Sequence, residues 1–128
     1  MSFRYFTRAP TWTPEGLRLD ALVSVIRWSD EETGIGYRWT DGTNDEAAAV
    51  LSITNTDMPR LVIGAGANSR EIEINGQTGT IYNGSYDYRA WVAEGTLNVV
   101  WVMDGITYHL WSDTLSEDEL VRMAESFQ

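Results

Sequence analysis

The sequence predicts an α+β domain: a curved, mostly antiparallel sheet of roughly six to eight strands, laid out as a hairpin meander, with one C-terminal amphipathic helix packed on one face. Three observations carry this. Asn75-Gly76 and Asp104-Gly105 are dipeptides that tolerate positive φ at both central positions of a type I′ turn, and apolar or β-branched runs flank each. Ser116 followed by Glu119 forms a capping box just ahead of Leu120, Met123, Ala124 and Phe127, which recur at helical spacing. At 128 residues the chain fits one domain, large enough to bury a core unaided. Its parts are an extended lead-in over 1–14, the sheet over 17–112 and the helix over 116–127.

Taken in order, Phe3 to Thr7 reads as an edge strand, and Pro10, Trp12 and Pro14 give an extended entry whose prolines exclude a central-strand role. Pro14-Glu15-Gly16 is a turn. Leu17 to Trp28 reads as a long strand, although Leu22, Val23, Val25 and Ile26 break its alternation, so it is either buried on both faces or bulged. Ser29 to Gly34 is an acidic turn, after which Ile35, Tyr37 and Trp39 alternate with Gly36, Arg38 and Thr40 and complete a hairpin. Asp41 to Glu46 is loop. Ala48 to Thr54 is a third strand, with a short helix from Ala47 as the alternative, and Asn55 to Pro59 ends it.

Leu61-Val62-Ile63 runs into Gly64-Ala65-Gly66-Ala67, a loop holding at most one short strand. Glu71 to Ile74 and Thr78 to Tyr82 pair across Asn75-Gly76, and Asn83-Gly84 closes that unit. Tyr88 to Val92 is a further strand, with Glu94-Gly95 as the turn into the last hairpin. In that hairpin, counting back from Asp104-Gly105 pairs Met103 with Ile106, Trp101 with Tyr108 and Val99 with Leu110, six side chains on one core-facing side. The other side carries Asn98, Val100 and Val102 against Thr107, His109 and Trp111. That side is either a second core layer or an exposed aromatic patch of the kind that marks a binding surface. His109 and Trp111, with Trp91 and Arg89 on the preceding strand, are therefore the candidate binding residues.

Composition narrows the chemistry. There is no cysteine, which excludes disulfides, thiolate metal sites and thiol nucleophiles, and every one of the nine basic residues is arginine, which excludes Schiff-base chemistry. A net charge of −10 repels phosphate backbones and anionic lipid headgroups, so no nucleic-acid partner is expected. No run approaches the roughly 20 apolar residues of a membrane helix, so no direct insertion by this segment is expected either.

Motifs add little. Gly64-Ala65-Gly66-Ala67 lacks the spacing and the GK[ST] ending of a phosphate loop. Asp41, Asn44, Asp45 and Glu46 lack the order of a calcium loop and read as a solvated acidic turn. One histidine cannot form a multi-histidine metal site, and His109 would need both a nucleophile and an orienter to run acyl transfer. Expected, then, are no catalytic residue, no metal and no cofactor. The six tryptophans and six tyrosines are the remaining feature with functional content, since aromatic platforms on a sheet bind sugars, lipids and extended peptides.

Ile72-Glu73-Ile74-Asn75-Gly76 leading to Ile81-Tyr82, then Val99-Val100-Trp101 before Asp104-Gly105-Ile106-Thr107-Tyr108, and finally Leu115 to Ser126, together form a pattern that resembles a bacterial domain-of-unknown-function family, DUF4367. The closing Glu119-Leu120 to Ala124-Glu125-Ser126 is its most characteristic piece, and Pro14 to Gly16 resembles its usual start. The resemblance implies an extracytoplasmic sensory or interaction domain at the cell surface, as in anti-sigma-like and lipoprotein-like proteins, anchored by a segment outside this chain. Its partner would be a protein or a small ligand outside the membrane. The alternative is a carbohydrate- or lipid-binding module using the aromatic sheet face. The family carries no agreed catalytic residues to transfer.

Overall fold

The computed structural model describes residues 10–19, 24–27, 33–42, 49–54, 69–87 and 90–127. The expected strand at Phe3 to Thr7 and the segment around Leu61 to Ile63 lie outside the described residues. Among those described are eight strands and one helix: β1 (Arg18–Leu19), β2 (Ser24–Arg27), β3 (Thr33–Thr40), β4 (Ala49–Thr54), β5 (Ser69–Ile74), β6 (Gln77–Asp87), β7 (Ala90–Met103), β8 (Ile106–Ser112) and α1 (Glu117–Glu125). They form one antiparallel sheet in the order β1-β3-β4-β8-β7-β6-β5, with β2 also pairing β3. The meander is thus broken once: β4 lies against the last strand, β8, while β5 stands at the far edge.

Local chemistry explains the hairpins. Asn75 and Gly76 have φ of 50° and 83°, and Asp104 and Gly105 have 55° and 77°, so both pairs adopt the doubly positive φ of a type I′ turn. These turns fix the register: Ile74 faces Gln77, and Met103–Ile106, Trp101–Tyr108 and Val99–Leu110 are cross-strand partners. The broken alternation of Leu17 to Trp28 has its counterpart in two pieces, β1 and β2, that share β3. Leu19 pairs with Trp39 and Ser24 with Gly36, so five steps on one side answer three on the other.

Two expected turns are not turns. Asn83-Gly84 lies inside β6 at a register shift between Asn83 and Ser85, and Glu94-Gly95 lies inside β7. Gly84 and Gly95 have φ of 120° and 95°. Glycine here permits a bulge within a continuing strand pair instead of a chain reversal. Of the further strand expected at Tyr88 to Val92, the described part, residues 90–92, is therefore the far end of the same long β6–β7 ribbon, and Tyr88 and Arg89 lie outside the described residues.

The helix starts as its sequence dictates. Ser116 accepts from the Glu119 backbone N–H, and the Glu119 side chain accepts from the Ser116 N–H at 3.1 Å, satisfying two donors that the first turn leaves open. The helix ends at Glu125, not at residue 127; Phe127 instead forms an isolated bridge with Pro10. Leu120, Met123 and Ala124 are fully buried against the odd positions of β7 and even positions of β8. There Trp101 stacks on Tyr108 at 5.3 Å, and Phe127 meets both rings edge-on at 5.3 and 5.6 Å. Gly79 makes room for this cluster: a Cβ there would stand 3.0 Å from the Val100 carbonyl and 3.3 Å from Trp101 Cβ.

The lead-in is clasped to the end of the helix. Thr11 N–H and its hydroxyl both donate to the Ser126 carbonyl, at 3.0 and 2.8 Å, and Trp12 N–H donates to Ser126 Oγ at 3.2 Å. The Arg122 guanidinium lies 4.2 Å from the centre of the Trp12 ring, a cation–π contact. At the same end Asn75 Nδ2 donates to the Glu125 carbonyl at 2.7 Å, so the first hairpin's turn satisfies one of the helix's last acceptors.

Candidate functional site

The side of the sheet away from α1 presents Asn98, Val100 and Val102 from β7 and Thr107, His109 and Trp111 from β8, as the register requires. Neighbouring strands add Tyr82 from β6 and Ser52 and Val50 from β4, because Asn98 pairs with Tyr82, His109 with Ser52 and Trp111 with Val50. This side is not an open patch. Tyr82, Asn98, Val100, Thr107 and Ser52 are buried, and His109, Trp111, Val50 and Val102 are half-buried.

A polar network holds its centre. Asn98 Nδ2 donates to the Tyr82 carbonyl at 3.3 Å and to the Gly84 carbonyl at 2.9 Å. Carbonyls only accept, so the amide nitrogen must face them, and this fixes which way the carboxamide points. Asn98 Oδ1 then lies 2.9 Å from His109 Nε2. Because Oδ1 cannot donate, Nε2 carries the proton, leaving Nδ1 as the imidazole's acceptor. The β6 bulge supplies part of this arrangement, since Gly84 sits where the ladder register is interrupted and its carbonyl turns to the Asn98 side chain.

Aromatic rings flank the imidazole. His109 lies 4.7 Å from Trp111 and 6.2 Å from Tyr82, centroid to centroid, both tilted. Burial pushes the His109 pKa down from 6.5 to about 4, so the ring is neutral at physiological pH, and burial raises the Tyr82 phenol above its ordinary value. The hydrogen-bond partner that fixes the ring is a carboxamide. An amide anchors the tautomer without adding the negative charge that a carboxylate would use to raise imidazole basicity.

Of the four sequence candidates, the structure brings His109 and Trp111 into contact. Trp91 is placed only by its backbone, opposite Tyr86 in the outer part of the β6–β7 ribbon, and Arg89 lies outside the described residues. Sequence reasoning missed Tyr82 and the bridging role of Asn98. The Asn75-Gly76 turn gives the β5–β6 register and the Asp104-Gly105 turn the β7–β8 register, but neither says that β6 lies beside β7 with Tyr82 opposite Asn98.

On the helix side, a small pocket of about 90 Å³ lined by Ser69, Arg70, Ile81 and Asn83 lies where β5 begins and β6 runs on past it. Arg70 there pairs with Glu117 in the first turn of α1. Among the described residues no group of three or more His, Asp or Glu side chains is placed to hold a metal ion. Among them, too, no helix is long and apolar enough to cross a membrane.

The chain belongs to the family described as Domain of unknown function (DUF4367), whose model matches residues 8–127. No curated protein and no solved structure matches it.

Proposed function

We propose that this chain is a non-enzymatic sensory or protein-interaction domain held outside the membrane of a bacterium, in a membrane-associated protein of the anti-sigma-like or lipoprotein-like kind. The observation that carries the non-enzymatic part is the setting of the one imidazole. His109 is neutral, half-buried, and engaged through its Nε2 proton by the Asn98 carboxamide, a set of contacts suited to packing and not to proton transfer near neutral pH. The extracytoplasmic part is supported by family membership and by what the resemblance implies for such domains. A surface with a net charge of −10 suits a domain kept off anionic lipid while it meets a partner. Fusing alkaline phosphatase, which folds only outside the cytoplasm, after this domain in its full-length gene product should give active enzyme. Activity only from a cytoplasmic reporter in the same position would overturn the proposal.

The second reading, a carbohydrate- or lipid-binding module, is favoured by one observation: Trp111, packed on His109, is only half-buried, and a partly exposed indole on a sheet face is of the sort that stacks on sugars or acyl chains. Titrating the purified chain with short oligosaccharides and with lysophospholipid while following tryptophan emission tests it. A saturable change lost in Trp111→Ala supports this reading, and an unchanged spectrum removes it.

A further inference from the structure

We propose that the outer edge of β5 is a docking site for an extended, basic segment of a partner protein, which adds to the sheet as a further antiparallel or parallel strand. β5 is the last strand in the sheet order, and among the described residues β6 is its one neighbour. Ser69, Arg70, Glu71 and Glu73 are exposed along it.

The turn determines which backbone groups face outward. In a two-residue type I′ hairpin the flanking residues exchange both hydrogen bonds, and hydrogen-bonded and non-hydrogen-bonded pairs alternate from there. Ile74 with Gln77 is therefore a bonded pair, as are Ile72 with Gly79 and Arg70 with Ile81. The N–H and C=O groups of Glu73, Glu71 and Ser69 point the other way, away from β6. They form the template that strand addition uses.

The side chains on that template select the occupant. Glu71 and Glu73 lie on one face of β5, two residues apart, where an added strand would place its own alternate side chains directly across from them. A second copy of this chain is a poor fit. Pairing two β5 edges antiparallel through their outward groups, in the registers that overlap both glutamates, sets Glu71 against Glu71 or Glu73 of the other copy, and like charges directly opposite destabilise a sheet. Charged edges protect sheet proteins from self-association in this way. The same carboxylates attract a strand with arginine or lysine at alternate positions, and the chain's charge of −10 favours its approach. Beside the start of β5, the pocket lined by Ser69, Arg70, Ile81 and Asn83 offers a recess for a side chain at one end of the added segment.

This deepens the interaction reading above and rests on it for the class of partner. The test uses the purified chain, so its failure leaves the reporter-fusion result untouched. The probe is a blocked synthetic peptide alternating arginine and valine, followed by fluorescence anisotropy and by amide hydrogen exchange. Expected are saturable binding, exchange slowed about tenfold or more at the Glu71 and Glu73 amides, and binding at least about tenfold weaker for the same peptide with glutamate in place of arginine. Glu71→Pro should abolish binding while keeping the fold, because that N–H takes no part in the β5–β6 ladder and proline is tolerated at such edge positions. If Glu71→Pro does not fold, a peptide N-methylated on the edge-facing amides replaces it and should fail to bind. Equal binding to Glu71→Pro or by the methylated peptide, unchanged exchange at Glu71 and Glu73, or no binding at all would each overturn the proposal.

Discussion

Asn98 and His109 sit diagonally across β7 and β8 and meet through a 2.9 Å contact whose direction is fixed, since both Asn98 amide protons go to the Tyr82 and Gly84 carbonyls and the imidazole must donate. The consequence is a pH dependence of known sign. Burial holds the folded-state pKa at about 4, below the unfolded 6.5, so the unfolded chain binds the extra proton between those values. Stability from neutral His109 is fully present above pH 6.5 and is lost as pH falls toward 4, by on the order of 3 kcal/mol across that window. Urea melts of wild type and His109→Gln between these limits should converge as pH falls. Parallel curves would show that His109 does not titrate this way.

Removing the other partner has a different signature. Asn98→Ala takes the side-chain partner from the Gly84 carbonyl and the His109 N–H, each a desolvation penalty of roughly 1–3 kcal/mol if no water replaces it. A loss of about 2 kcal/mol or more is expected at pH 7, measured by chemical denaturation. A loss below about 0.5 kcal/mol would mean that water restores the network.

The sequence made the two glycine-centred hairpins, the capping box and the apolar helical stripe legible because each depends on residues within a few positions of one another. Trp101–Tyr108 and Val99–Leu110 follow from a turn by counting. It did not make legible that β4 pairs with β8, since nothing local links Leu51 to Leu110. Nor did it separate a reversing glycine from a bulging one at Gly84 and Gly95, because both need the same positive φ and only the strand partners differ. The candidate site was half legible for the same reason: the alternation put His109 and Trp111 on one face, while Tyr82 reached them through a strand order that alternation does not encode.

Phe127 is buried and packs edge-on to Trp101 and Tyr108 although it lies past the end of the helix. Phe127→Ala should cost about 3–5 kcal/mol, the range for deleting a core aromatic ring. A change within about 0.5 kcal/mol in a urea melt would place the ring at the surface instead.

Trp111 stands between core and surface. Because it is half-buried, Trp111→Ala should cost about 1–2 kcal/mol, less than the roughly 3–5 expected for fully buried Trp101→Ala. Equal losses at the two positions would make the second face a full core layer and remove Trp111 from any binding surface.

The pairing of β4 with β8 also bears on how the chain is made. Residues 49–54 emerge from the ribosome long before residues 106–112, so Leu51 and Ile53, already paired with β3 on one side, must wait for their second strand partners on β8. Until then the nascent sheet ends in an apolar strand with no helix above it. Such late, distant closure slows folding and leaves that strand open to wrong partners, a hazard that delayed release or a holding chaperone would reduce.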